Sequence, residues 1–79
     1  MVNQSADKTQ VINDIMDIIS RKKQERRIFE YLHNHTPASD IDARVYYKRE
    51  ADKVNSEINK WKLHLEATRN IGNTLNINI

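Results

Sequence analysis

The chain has no cysteine, a single glycine and a single proline in 79 residues, and aromatic residues make up only 6% of it. Without cysteine there is neither a disulfide nor a thiolate metal site, which suits a reducing cytoplasm, the compartment expected here. So little glycine and proline leaves few residues for the frequent turns of an all-β domain, and helix becomes the expected class. No uninterrupted apolar run approaches the roughly 20 residues of a membrane-spanning helix. The segment Met1–Gln10 is polar and lacks the apolar centre of a signal peptide, so no membrane partner is expected. A chain this short, with no covalent or metal staple, buries too little surface to be robust alone. A protein partner or a second copy is expected to complete it.

What is present points the same way. The composition is 38% hydrophobic and 30% charged, which fits helices with large solvated faces. The net charge of +2 is too small to imply nucleic acid by itself, although charge can still be concentrated locally.

Tyr47, Ala51, Val54, Ile58, Trp61 and Leu65 are separated by steps of 4, 3, 4, 3 and 4, so on a helix they form one apolar seam that must lie against another helix. Val11, Ile15, Ile18, Lys22, Glu25, Phe29 and Leu32 repeat the same spacing and predict a first helix with its own seam, charged at two positions. Charge there costs stability and can fix register or partner choice, or the two side chains can reach out to water. Between the seams, Asn34 can end a helix and Pro37 cannot continue one. Thr36 before Pro37, or Ser39 with Asp42 three residues on, can cap the next helix.

Pairing the seams antiparallel gives residue numbers with a constant sum of 76, which centres the turn on residue 38, where the breaker residues already place it. The expected fold is therefore all-α: an antiparallel two-helix hairpin with a coiled-coil seam, completed to a small helical bundle by self-association or a partner. It forms one domain over 1–79. The expected elements are a helix from about Asp7 to about Asn34 with Ser5 or Asp7 as its cap, a turn over 35–38, a helix from about Ser39 to about Asn70 closed by Gly72, and a flexible tail over 71–79. Met1–Ala6 is expected to fray. A break near Arg21–Gln24, giving a three- or four-helix bundle, is the alternative architecture. The tail alternates Leu75, Ile77 and Ile79 with asparagine, a period-2 pattern that could add to a sheet edge, although disorder is the simpler expectation.

Ile12, Met16 and Ile19 lie beside the first seam and widen its apolar arc beyond what one partner helix covers. This stripe is the expected partner-binding site, and it implies a non-enzymatic interaction module of adaptor, chaperone or regulator type. The alternative function is nucleic-acid binding through Arg21, Lys23, Arg26 and Arg27 with Lys48, Arg49 and Lys53, although interleaved acids such as Asp17 allow ion pairs that would leave a solvated face instead. Glu30 and His33 have the Glu-x-x-His spacing of di-iron bundles, but Val45, Tyr46 and Tyr47 stand opposite instead of carboxylates, so no metal site is expected. No nucleophile–base pair, glycine-rich phosphate loop or carboxylate pair can be assembled, so neither a catalytic site nor a cofactor is expected.

Overall fold

The computed structural model describes the backbone of residues 4–78 and the side chains of residues 8–71. It contains two helices and, among the described residues, no strand: α1 spans Gln4–His35 and α2 spans Ile41–Asn78. They pack along their length as an antiparallel hairpin. The result is a rod of 62 × 21 × 13 Å with a radius of gyration of 18.2 Å, against about 12 Å for a compact globule of this length.

α1 is continuous through Ser20–Arg27, a stretch of mostly good helix formers with no glycine or proline, so the break and the three- or four-helix bundle it would give are not adopted. The ends differ from expectation. Ser5 and Asp7 lie inside α1, and Met1–Asn3 are outside the described residues. Gly72 does not terminate α2: no glycine has positive φ, and the helix runs on to Asn78. A glycine costs a helix interior only about 1 kcal/mol and stops it only when the backbone turns left-handed. Leu75–Asn78 are accordingly helical in backbone and not extended, and Ile79 lies outside the described residues. The last turn of α2 holds no basic side chain.

The connection is built on Asp40, and neither Thr36–Pro37 nor Ser39 supplies the cap. The Asp40 amide donates to the Pro37 carbonyl at 3.0 Å, closing a tight turn, and its own carbonyl accepts from the Arg44 amide at 3.1 Å. Its carboxylate accepts from the Ala43 amide at 3.3 Å, the bond an N-cap makes to the third helical residue. The Thr36 hydroxyl instead donates back to the Leu32 carbonyl at 2.6 Å. Asp40→Ala is expected to cost about 1 kcal/mol and Ser39→Ala only a few tenths. Thermal denaturation of the two variants checks this, and equal losses would remove Asp40 from the capping role.

The core is small. Ile15, Ile19, Val54 and Ile58 form one buried cluster, with Phe29, Trp61 and Leu65 packed against it and Ala51 buried nearby. The seam of α2 is the expected one. The seam of α1 is turned by one residue: Ile19 is 8% exposed and belongs to the cluster, whereas Ile18 lies outside it, and Val11 is 45% exposed. The observed row is Ile12, Ile15, Ile19, Lys22, Arg26 and Phe29, every member buried or half-buried. It shares Ile15, Lys22 and Phe29 with the expected row. Arg26 rather than Glu25 takes the inner position because its long apolar stem can lie along the partner helix while its guanidinium leaves the seam. That guanidinium donates to Asn55 Oδ1 at 2.6 Å, and Glu25 is exposed.

Candidate functional site

The turned seam makes the two long flanks of the hairpin unequal. On α1, Val11, Ile18 and Glu25 stand on one side of the Ile15–Lys22–Phe29 line, and Ile12, Met16 and Lys23 on the other. The first flank is closed at one point, by an ion pair between the helices. Lys22 Nζ donates to Glu57 Oε1 across the helices at 3.1 Å, and the groove around this pair also holds Glu25, Glu50 and Lys53. Lys22 thus meets an acid of α2, one turn past the residue that the constant sum pairs it with, and not Glu25.

The second flank is open and of different chemistry. Met16, Ile19, Ser20 and Lys23 of α1 and Lys62 and Leu65 of α2 line a groove of about 320 Å³. Its floor is apolar, and no carboxylate lines it. Lys23 and Lys62 face each other's helix across it, and neither forms an ion pair among the described residues.

The partner stripe expected from sequence is corrected by this geometry. Ile19 is a core residue because the rotation of α1 carries it into the seam, and Ile12 is half-buried for the same reason. Met16 alone remains open, at 49% exposure. Leu65 and Lys62 complete the groove from α2. Leu65 was readable only as a seam residue and Lys62 only as a charge on the helix; their place beside Met16 depends on the rotation, which the residue pattern does not show.

The basic residues do not all converge on one surface, although Arg26 and Lys48 line one groove and Lys48 and Arg49 the next. Arg21 is held by Asp17 at 2.6 Å and Lys48 by Asp52 at 3.3 Å. Lys53 belongs to the closed flank, Lys23 to the open one, and Arg49 to neither. Arg26 is half-buried on Asn55, while Arg27 is exposed. Glu30 and His33 line a common groove with Asp52, yet among the described residues no three metal-ligating side chains are close enough to hold an ion. No protein-family model, curated protein or solved structure matches the chain.

A further groove, of about 510 Å³, lies at the turn, with Ala38, Ile41 and Val45 as its apolar part and Arg49 and Asp52 at its edge. Beside it Arg44 Nη1 donates to the carbonyls of His33 at 3.1 Å and Thr36 at 2.9 Å. These are carbonyls left without intrahelical partners at the end of α1. Tyr31 stacks on His35 with ring centroids 3.8 Å apart, and His35 Nδ1 donates to the Tyr31 carbonyl at 2.9 Å. The turn is thus tied down by side chains, whereas the open flank has exposed Met16 beside the buried core. That flank offers shape, apolar contact and fixed positive charge, the means of non-covalent docking.

Proposed function

We propose that this chain is a non-enzymatic helical interaction module that receives one further helix along the Met16 flank. The observation carrying the reading is that Met16 stands half exposed beside buried Ile19, on a flank where among the described residues no ion pair joins the helices, whereas Lys22 and Glu57 join them on the other. A third helix laid there would cover Met16, Leu65 and the outer edge of Ile19, extending a core that two helices leave thin. Among the described residues no helix is long and apolar enough to cross a membrane. Nucleic acid is the weaker reading because the cationic side chains are spread over several faces and two of them, Arg21 and Lys48, are held by acids of the same helix.

Site-specific photo-crosslinking tests the proposal. A benzophenone side chain at position 16 is expected to yield discrete adducts, identified by mass spectrometry and reproduced with the purified protein so identified. The same probe at position 24, on the outer face of α1, is expected to yield none. The same pattern from both positions, or none from either, would overturn it. Adducts lost on nuclease treatment, with binding that weakens steeply as salt rises, would transfer the reading to nucleic acid.

A further inference from the structure

We infer that the open flank selects an acidic amphipathic helix: one with an apolar stripe for Met16 and Leu65 and with aspartate or glutamate on both sides of that stripe. The inference rests on the interaction reading above and adds the chemistry of the partner. Its first ground is the contrast between flanks. The groove of the closed flank holds three carboxylates, Glu25, Glu50 and Glu57, with two lysines, one of them paired to Glu57, and so carries no excess of positive charge. The groove beside Met16 has an apolar floor and two lysines, and no carboxylate lines it.

Its second ground is where those lysines come from. Lys23 belongs to α1 and Lys62 to α2, so a helix lying in the groove has an ammonium on each side of its apolar stripe. Arg27, one turn along α1 from Lys23, is exposed and extends the positive rim. Glu66, the nearest acid along α2, is not paired with Lys62. Acids flanking the incoming stripe would meet both rims at once, and a basic helix would be repelled by both.

The same geometry disfavours a second copy as the occupant. A symmetric dimer through this flank brings the same patch against itself, setting Lys23 and Lys62 of one copy against the same residues of the other with no acid between them. Setting the open flank of one copy on the closed flank of another would be a head-to-tail contact, which builds a ring or a filament and not a closed pair, and Glu57 of that flank is already held by Lys22.

The test uses the full chain and two fluorescent peptides of about fourteen residues, roughly four helical turns. Both have leucine at i, i+3, i+4 and i+7; one has glutamate and the other lysine at the flanking positions. Fluorescence anisotropy at low salt is expected to show the glutamate peptide binding roughly tenfold tighter, the size that two rim ion pairs supply. The double change Lys23→Glu with Lys62→Glu is expected to reverse the preference, and Met16→Glu to weaken both peptides, with circular dichroism confirming that each variant keeps its helices. Equal binding of the two peptides, or binding unaffected by the lysine changes, would overturn the acidic-helix assignment while leaving a docking flank. So would self-association abolished by Met16→Glu, which would make a second copy the occupant. Failure of both peptides overturns the assignment in any case, and only if position 16 also gives no crosslinks does the interaction reading fall with it.

Discussion

Ile58→Ala is expected to lower the melting temperature by more than about 10 °C, the consequence of losing about 3 kcal/mol from a domain of this size. Among the described residues Ile58 is the one large side chain with 0% exposure, and it lies in the four-residue cluster with Ile15, Ile19 and Val54. Truncation removes its transfer free energy and leaves a cavity that two rigid helices cannot collapse to fill. In a large domain the loss would be absorbed. Here the total stability expected from chain length is on the order of 4–12 kcal/mol, and so few buried residues place this rod at the lower end. Leu63→Ala is the control, because Leu63 is 71% exposed and its loss should stay within about 0.5 kcal/mol. Thermal melts followed by circular dichroism at matched concentrations check both. Comparable losses from the two variants would mean that the cluster does not hold the hairpin together.

Arg44→Ala is expected to cost about 2 kcal/mol, the second largest single effect, through a residue that is not part of the seam. The Arg44 guanidinium serves two carbonyls at the end of α1 from a position in the first turn of α2. Hydrogen bonds to a charged donor contribute more than neutral ones, about 1.5–3 kcal/mol when well shielded, and the half-buried setting of Arg44 lets water recover part of the loss. Arg44→Lys keeps the charge but gives up the planar donor geometry, and should fall between wild type and alanine. Urea denaturation of the three proteins separates these cases. A lysine variant as stable as wild type would show that charge alone suffices, and an alanine variant as stable as wild type would remove the clasp.

Much of the fold was legible because the strongest pattern in the chain is unambiguous. In α2 the apolar residues from Tyr47 to Leu65 leave a single row to bury, and Pro37 with its neighbours marks the turn. The seam of α1 was less legible for a specific reason. Two rows share Ile15, Lys22 and Phe29 and differ in offering Ile18 or Ile19 and Glu25 or Arg26. Isoleucine against isoleucine gives no preference, so the choice falls to Arg26 and Glu25. It depends on how far each side chain can reach, which a count of apolar positions does not measure. The open flank followed from that choice and was misjudged with it: Met16 was identified as a contact residue, Ile19 was assigned to the surface instead of the core, and Lys62 was not connected with either. Gly72 misled because it has the right position for a helix stop but not the backbone conformation.

The location of the Arg44 clasp has a kinetic consequence. Ile19 and Ile58 are separated by 39 positions along the chain, whereas His33 and Arg44 are separated by 11. Closing the longer loop directly costs about 1 kcal/mol more chain entropy than closing the shorter one. A chain that joins its helices first at the turn can then bring the isoleucines together by successive short closures, in the manner of a zipper. The clasp should therefore form before the core and be present in the folding transition state. In stopped-flow experiments, Arg44→Ala would then act mainly by slowing refolding, whereas Ile58→Ala would act mainly by accelerating unfolding. The reverse pattern would place the nucleus in the isoleucine cluster and make the clasp a late addition.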